Sequence, residues 1–570
     1  MNILGLGGSI HNYSACLMRD GQIVRAVEEE RLNRIKYSML PLTSKELVRC
    51  HAASYCLEAE QLGLSDVDLV VTNDLINPLY YSKFAKKTKL INHHLSHAYS
   101  TFFTSPFEEA AVAVIDGSGS IINEQMYETT TFYRASECHV EEIQKTCGSL
   151  IADDRTYHYS DEFALYNSIG GFYKWITLGL GFAFLDDGKT MGLAAYGTDR
   201  YVSRFHQFYR LQEGHFLQNR EQVSQMIDFI SKTISQYSDE EARFQAKADI
   251  AFAGQYHLEK VVISQCRFLY QKTKLKNLCL AGGVALNSVA NAKILEETPF
   301  ENLYLFPAAG DAGTAIGSAL YGYHTIMGMA RTKPFEPFSP FLGKAYTDEQ
   351  VMQAAAAFRE QIRLEKATHV PETASRLLAE GKVIGWFQGR SEIGPRALGN
   401  RSILADPRKR ENKHVLNQII KQRESFRPFA PAVLAEKQHH YFTSNEHSSY
   451  MLRVSKVRQE KWSVLPAVIH VDGTARLQTV TRQQHPEFYA LISCFEQRTG
   501  VPVVLNTSFN GPGEPMVESP LDAIQCFLRT GLDHLFINSW MISKGKNDSL
   551  EPISIKGKLL KKKNSMGKNS

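Results

Sequence analysis

Short apolar runs that end on glycine or aspartate recur along the first part of the chain. They predict strands at residues 3–8, 14–19, 23–28, 68–72, 111–115, 277–280 and 302–306. Apolar positions at helical spacing predict helices at 95–103, 240–273 and 312–323. Because the strands fall into two groups with glycine-rich turns after them, we expect an internally duplicated α/β domain with a cleft between its halves.

A cluster of prolines interrupts this pattern. Pro334, Pro337 and Pro340 stand close together and predict a boundary between domains. Beyond them the pattern predicts a helix at 372–380, a strand at 383–387 and a second α/β unit. We therefore expect a first domain over 1–342, a linker over 343–365, a second domain over 366–545 and a tail over 546–570.

The charge of the chain is concentrated in that tail. The chain has 570 residues and a net charge of +4, but six lysines lie in the last fifteen residues, so the rest carries 4 − 6 = −2. A nearly neutral body does not favour a nucleic-acid partner. We expect the tail to be a disordered, solubilising end, with a weak contact to an anionic surface as the alternative.

The cysteines and the apolar runs indicate the compartment. The nine cysteines form no C-x-x-C pair, which argues against a zinc knuckle, a redox motif or a disulfide framework. The first residues run into a strand without a basic leader. The longest uncharged apolar run, 175–185, has eleven residues and is too short to span a membrane. We expect a cytoplasmic protein that binds no membrane.

Two histidines and two aspartates form a candidate metal site. His93 and His97 are four residues apart in a predicted helix and share one face. Asp116 ends an apolar strand, and Asp311 lies in another glycine-rich turn. Two imidazoles and two carboxylates suit iron, manganese or zinc better than calcium or magnesium. A histidine pair alone is also common in protein interiors without any metal.

Three glycine-rich turns are candidate phosphate loops. They lie at 116–119, 281–287 and 310–314, each after a predicted strand, where backbone N–H groups can approach a phosphate. Any one such turn is ordinary structural punctuation, but three in one domain predict nucleotide binding. The candidate nucleotide contacts are Gly117, Gly119, Lys189, Gly282, Gly283, Asn287 and Gly310.

The second unit contains arginines in unusual surroundings. Arg396, Arg401 and Arg427 lie among glycine, proline and apolar residues, where a guanidinium needs an anion as its partner. A basic run at 408–410 is more simply a solvated face. Lys421 lies close by in sequence, and Ser508 belongs to a polar stretch that follows a predicted strand at 501–505. These residues predict binding of phosphate or carboxylate groups.

Taken together, these stretches resemble one family, the O-carbamoyltransferases of the nodulation-protein and antibiotic-biosynthesis type. The resemblance extends along essentially the whole chain and is carried by residues 27–31, 93–98, 188–197, 282–287, 394–404, 426–431 and 505–514. It implies an α/β protein with two parts. The first would be a duplicated actin-like (ribonuclease H-like) domain, and the second a YrdC-like α/β domain.

The resemblance also implies an activity. The second domain would use carbamoyl phosphate and ATP, with Mg²⁺, to make carbamoyl-adenylate. The first would then transfer the carbamoyl group to a hydroxyl of a small molecule, which by family analogy is a secondary metabolite. The transfer would take place beside a metal that is usually described as iron.

By position, the resemblance assigns roles to individual residues. The metal ligands would be His93, His97, Asp116 and Asp311, and the carbamoyl-phosphate or adenylate contacts Arg396, Lys421, Arg427 and Ser508. His11 would be the general base. Asn12 departs from the aspartate that is common in the family, so a carboxylate that orients His11 is missing there.

Two other functions stay open from the sequence alone. One is a tRNA-modifying enzyme of the threonylcarbamoyl pathway, which the neutral body disfavours. The other is an actin-like kinase or nucleotide-binding module that forms ADP instead of AMP and pyrophosphate. A hydrogenase-maturation carbamoyltransferase would need extra cysteine motifs that this sequence does not have. Neither the acceptor nor the oligomeric state can be read from the sequence.

Overall fold

A computed structural model describes residues 1–123, 125–149, 165–331 and 337–545. The lysine-rich tail at 546–570 and the proline Pro334 lie outside these ranges, so the predictions made for them stay predictions. Within the described ranges, no helix combines the length and the apolar character that a membrane span requires. Below, the chain up to residue 331 is the first unit, and residues 337–545 are the second unit.

The first unit contains two principal sheets. Its strands are β1 (Asn2–Gly7), β2 (Ser14–Arg19), β3 (Gln22–Glu28), β4 (Leu69–Asn73), β5 (Thr88–Ile91), β6 (Glu109–Ile115), β7 (Ile121–Asn123), β8 (Met126–Ser136), β9 (His139–Ser149), β10 (Arg210–Gln212), β11 (His215–Leu217), β12 (Asn277–Ala281) and β13 (Asn302–Leu305). Strands β10 and β11 form a separate hairpin. The others form the two sheets.

The two sheets repeat one topology. The first has the order β3-β2-β1-β4-β5, with β1, β2 and β3 antiparallel and β4 and β5 parallel to β1. In the second, β9, β8, β6, β12 and β13 follow the same order with the same directions, and β7 adds a short pairing to β8. The predicted α/β class and the internal duplication are therefore confirmed.

Helices surround these sheets. They are α1 (Glu29–Asn33), α2 (His51–Ala59), α3 (Pro78–Tyr81), α4 (His93–Thr104), α5 (Ile169–Gly179), α6 (Asp187–Ala194), α7 (Val202–Phe205), α8 (Arg220–Ser235), α9 (Glu240–Thr273), α10 (Ser288–Glu297) and α11 (Thr314–Tyr321). Helix α11 packs against α4 and β1. A Cβ on Gly7 would lie 2.1 Å from the backbone nitrogen of Ala315, so glycine in β1 allows this close approach.

The second unit is built on one mixed sheet. Its elements are α12 (Asp348–Ala356), β14 (Ile362–Lys366), α13 (Val370–Ala379), β15 (Ile384–Phe387), β16 (Arg401–Ala405), α14 (Glu411–His414), β17 (Ala430–Leu434), β18 (Val454–Lys456), β19 (Thr474–Arg476), β20 (Gln478–Val480), α15 (Pro486–Thr499), β21 (Val503–Ser508), α16 (Pro520–Arg529), β22 (His534–Ile537) and β23 (Trp540–Lys544). Eight strands form the sheet in the order β14-β23-β22-β15-β16-β21-β17-β20. Strands β18 and β19 pair separately.

Two expectations for this unit need correction. Residues 343–365, expected to be a linker, contain helix α12 and most of β14, which pairs with β23 in the main sheet. A capping box between Thr347 and Gln350 starts α12. The strand expected at 501–505 in fact extends through Ser508, because β21 pairs with β16 over its whole second half.

Candidate active site

The two predicted histidines lie at the start of α4. The side chain of Asn92 accepts a hydrogen bond from the Leu95 N–H at 2.9 Å and caps this helix, so His93 and His97 lie one turn apart inside the protein. Their ring centroids are 4.8 Å apart, and both side chains are completely buried.

Asp116 and Asp311 converge on these histidines from two other segments. Asp116 follows β6, and Asp311 begins a short turn that leads into α11. The Nε2 atom of His97 is 3.3 Å from Asp116 Oδ2 and 3.7 Å from Asp311 Oδ1. The Nε2 atom of His93 is 3.7 Å from the same two oxygens. One ligand atom from each of the four residues lies within 4.8 Å of the others.

These four side chains suit a bound cation. Asp116 Oδ1 accepts hydrogen bonds from the N–H groups of Gly117 at 2.7 Å and Gly283 at 3.2 Å. The hydroxyl of Ser9 donates to Asp311 Oδ2 at 2.5 Å. One oxygen of each carboxylate is thus held by the protein, and the other faces the histidines.

Within the described ranges, several of the converging atoms have no hydrogen-bond partner. They are Nε2 of His93, Nε2 of His97 and Oδ2 of Asp116. Burial lowers the pKa of His93, but the nearby carboxylates of Asp116 and Asp311 outweigh it and raise that pKa to about 10. Buried groups of this kind need a partner, and nitrogen and carboxylate donors together suit a divalent transition metal.

His11 lies beside this centre. Its Nδ1 is 3.8 Å from Asp311 Oδ2, and its ring contacts the edge of Phe184. Burial lowers its pKa, the charge of Asp311 opposes this, and the charge of Lys174 lowers it again, so the ring is neutral at pH 7. Asp311 therefore provides a carboxylate near His11, where the sequence has Asn12 in place of the expected aspartate.

Lys174 is a site residue that the sequence reasoning missed. It lies on α5, and its ammonium is 4.5 Å from the centroid of Phe184. A Cβ built on Gly117 would be 3.9 Å from its Nζ. Burial lowers its pKa, whereas Asp187, Asp116 and Asp311 raise it. A single lysine in the otherwise uncharged run 169–179 was the available signal.

The glycines of the predicted phosphate loops fall into two groups, those beside the candidate metal ligands and those that make structural contacts. Gly117 and Gly283 donate to Asp116, and Gly282 and Gly310 lie in the turns that hold Asp116 and Asp311. Other members of the set make structural contacts. Gly119 packs against Glu128 and His94.

Asn287 and Lys189 also have protein partners. Asn287 caps α10 and exchanges hydrogen bonds with Gln255. Lys189 lies on α6 and pairs with Asp186 at 2.8 Å and with Glu424 of the second unit at 2.9 Å. Lys189 therefore bridges the two units, and its role in nucleotide binding stays a prediction.

Arg401 does not lie with the other predicted anion-binding residues of the second unit. Its guanidinium donates to the carbonyl oxygens of Gln388 and Gly389 and lies over the ring of Phe387.

The remaining predicted anion-binding residues lie in one cluster. Lys421 Nζ donates to Asn510 Oδ1 at 2.5 Å and to the Ser508 hydroxyl at 3.4 Å. Burial lowers the pKa of Lys421 well below its usual value. Burial and the neighbouring Arg427 lower the pKa of Arg396 to about 10.

Two further arginines belong to this cluster and were not predicted. Burial and then Arg427 lower the pKa of Arg423 to about 9. Burial, followed by the charges of Arg396, Arg423 and Arg427, lowers the pKa of Arg476. The Nε atoms of Arg396 and Arg476 have no hydrogen-bond partner in the described chain. Like charges held together in half-buried surroundings favour an anion between them.

The centre and the cluster adjoin across the interface between the units. The guanidinium of Arg396 reaches the carbonyl of Leu286 at 3.5 Å. Leu286 belongs to the same turn as Gly283, which donates to Asp116. A Cβ on Gly192 of α6 would be 3.7 Å from Pro428, next to Arg427. The two sets of residues therefore line one shared region.

Two family models match this chain. The model of the carbamoyltransferase N-terminus matches residues 76–320, and the model of the carbamoyltransferase C-terminus matches residues 375–544. Nodulation protein NolNO of Sinorhizobium fredii is 36% identical over 580 residues, which span 94% of this chain and 79% of NolNO.

An enzyme and a solved structure complete the comparison. The 3'-hydroxymethylcephem-O-carbamoyltransferase of Streptomyces clavuligerus is 34% identical over 264 residues, which span 46% of this chain and 48% of that enzyme. Full-length HypF in its phosphate- and nucleotide-bound form superposes with a TM-score of 0.37 and 13% identity, over 56% of this chain and 54% of HypF. A score of this size supports no conclusion by itself.

Proposed function

The chain belongs to the carbamoyltransferase family, and we propose that it is an O-carbamoyltransferase which uses carbamoyl phosphate and ATP to carbamoylate a hydroxyl of a small molecule. The observation that carries this proposal is the contact of Arg396 with Leu286, where a buried centre that needs a cation meets a half-buried cluster that needs an anion. A relative named for a cephem acceptor supports a secondary metabolite as the acceptor class.

The first reaction takes place in the anion cluster. Water cleaves carbamoyl phosphate to carbamate and inorganic phosphate. A carbamate oxygen then attacks the α-phosphorus of ATP, the bond to pyrophosphate breaks, and carbamoyl-adenylate forms. Arg396, Arg427 and Lys421 offset the charge of the phosphate groups, which would otherwise repel the attacking carbamate. Mg²⁺ accompanies ATP.

The second reaction takes place beside the centre. The acceptor hydroxyl attacks the carbamoyl carbon, and the bond to AMP breaks, so that the products are the carbamate ester and AMP. The hydroxyl proton passes to His11, whose lowered pKa keeps it neutral and able to accept. The adenylate is easily hydrolysed, and the adjoining position of the two sets of residues limits its exposure to water.

A divalent transition metal such as Fe²⁺ would be held by His93, His97, Asp116 and Asp311. When bound, it would supply positive charge close to the reacting oxygen. The described chain supports this ligand set through its unpartnered, buried Nε2 and Oδ2 atoms. Lys174 adds a second positive charge next to Gly117.

A product assay tests the proposal. The full chain is incubated with ATP, carbamoyl phosphate and a panel of hydroxylated small molecules, and the nucleotides are separated by chromatography. We expect AMP, pyrophosphate and phosphate, and a carbamoylated product for one acceptor class. ADP in place of AMP would contradict the proposal and favour an actin-like kinase. Carbamoylation of tRNA with no small-molecule product would favour the threonylcarbamoyl pathway.

A further inference from the structure

Residues 27–31 are among the stretches that resemble the family, yet they belong to neither the centre nor the anion cluster. They lie at the end of β3 and the start of α1, facing the second unit. The carboxylate of Glu28 accepts a hydrogen bond from the N–H of Gly394 at 2.7 Å. The guanidinium of Arg31 donates to the carbonyl of the same glycine at 2.9 Å. The N–H and the carbonyl of Gly394 are thus both hydrogen-bonded by side chains of the first unit.

Gly394 lies where three segments meet. Its φ of +103° is a backbone conformation that favours glycine. A Cβ there would be 2.6 Å from the carbonyl oxygen of Pro307. Pro307 leads within four residues to Asp311, one of the candidate metal ligands, and Arg396 follows Gly394 by two residues. The backbone of Gly394 is therefore fixed between the centre and the anion cluster.

The Glu28–Arg31 pair is poorly suited to be a simple stabilising salt bridge. Its closest charged atoms are 3.3 Å apart, and the Glu28 and Arg31 side chains are 8% and 1% exposed. Nη1 of Arg31 and Oε2 of Glu28 have no hydrogen-bond partner in the described chain. A buried ion pair with unused hydrogen-bonding atoms contributes little net stability. Its well-formed hydrogen bonds are those to Gly394.

We propose that Glu28 and Arg31 are positioning residues that hold Gly394 against Pro307, and so fix Arg396 of the anion cluster relative to Asp311 of the centre. The kinetic test of this inference rests on the proposed function, whereas the positioning of Gly394 can be tested without carbamoyl transfer. Because Arg396 is two residues from Gly394, loss of the hydrogen bonds to Gly394 changes the affinity of the cluster for an anion. Because Pro307 precedes Asp311, anion binding also changes the geometry of the centre.

Helix α1 and its C-terminal end offer a matched control. Arg34 also donates to carbonyl oxygens of the second unit, to Met516 at 2.6 Å and to Pro515 at 2.9 Å, but not to Gly394. Arg31→Met and Arg34→Met therefore remove the same side-chain group from the same interface. We expect Arg31→Met to raise the KM for carbamoyl phosphate about tenfold to hundredfold in the pyrophosphate-release assay. Arg34→Met should change it less than about threefold.

A second measurement does not depend on carbamoyl transfer. Co²⁺ is titrated into the full chain, and its visible spectrum is recorded with and without inorganic phosphate as the probe of the anion cluster. We expect phosphate to change the Co²⁺ spectrum in the parent chain and in Arg34→Met, but not in Arg31→Met. Equal responses of the two variants in both assays would overturn the proposal, since a general loosening of the interface would then be sufficient.

Two milder variants keep the test informative if Arg31→Met does not fold. Arg31→Lys keeps the charge and one donor, and Glu28→Gln keeps the shape of the acceptor. Each should give an intermediate KM with an unchanged circular dichroism spectrum. Parent values for both would contradict the proposal. If the parent chain releases no pyrophosphate, the proposed function fails, and the Co²⁺ spectra still decide the positioning role.

Discussion

The side chains of the histidine–aspartate centre are buried and the arginines of the arginine–lysine cluster are half-buried, and the charges of the two regions are arranged in opposite ways. In the centre, two carboxylates face two imidazoles, and the atoms without hydrogen-bond partners include Nε2 of both His93 and His97. In the cluster, burial and then the charge of Arg427 lower the pKa of Arg396 and of Arg423, and burial followed by the charges of the other three arginines lowers the pKa of Arg476. The comparison shows that unpartnered buried atoms indicate the sign of the ligand each region needs, a cation in one and an anion in the other.

The strongest way to break this comparison is to remove charge from the centre. Asp116→Asn keeps an oxygen that can accept from Gly117 but loses the negative charge. We expect purified protein to lose its metal, measured by mass spectrometry, and carbamoyl transfer to fall by more than about 100-fold. Pyrophosphate release by the cluster should continue.

The neighbouring histidine provides the control for that change. His94 bonds to Thr131 at 2.8 Å and is not one of the four converging residues. His94→Gln should keep the metal. Full metal content in Asp116→Asn, or an equal loss of pyrophosphate release, would show that the two regions are not separate in function.

A charge removed from the cluster should have the converse effect. Arg427→Met leaves the centre intact and removes one positive charge from the cluster, so we expect the KM for carbamoyl phosphate to rise by about 100-fold with unchanged metal content. Arg408 is the matched control because it is already paired with Asp406 at 2.8 Å. If Arg408→Met raised the KM for carbamoyl phosphate as much as Arg427→Met does, that result would argue against a specific anion site.

The smallest expected effect sharpens the comparison through pH. Burial lowers the pKa of Lys421 well below 10.5, so raising the pH removes its positive charge earlier than for an exposed lysine. The KM for carbamoyl phosphate should therefore rise on the alkaline side, by at most about tenfold per pH unit. Lys421→Met should flatten that rise. If Lys421→Met left the pH dependence of the KM for carbamoyl phosphate unchanged, Lys421 would have no part in anion binding.

Much of the fold was predictable from the hydrophobic pattern. Helix 240–273 was predicted with the bounds of α9, and strand 14–19 with those of β2, whose apolar run ends at the turn formed by Asp20 and Gly21. The long β8–β9 hairpin was not predicted. Its strands carry mixed polar and apolar residues, and β9 is only partly buried. Helix α12 is short and follows a proline-rich stretch that is typical of a linker, so the local pattern did not predict it.

The site was predictable to a lesser degree. Convergence of His93, His97, Asp116 and Asp311 followed from their positions at the ends of elements, and the structure brings all four together. Arg476 and Lys174 lie in a strand and a helix without any motif around them. Their importance comes from what lies next to them in space, which no local spacing encodes.

The duplicated topology has a consequence for how the centre is assembled from the two halves. His11 and Asp116 follow the equivalent first strands of the two halves, β1 and β6, while α4 and the Asp311 turn follow the equivalent fifth strands, β5 and β13. Equivalent loops of the two halves therefore contribute different residues to one centre. An ion bound there would therefore link the two halves of the first unit through their own loops.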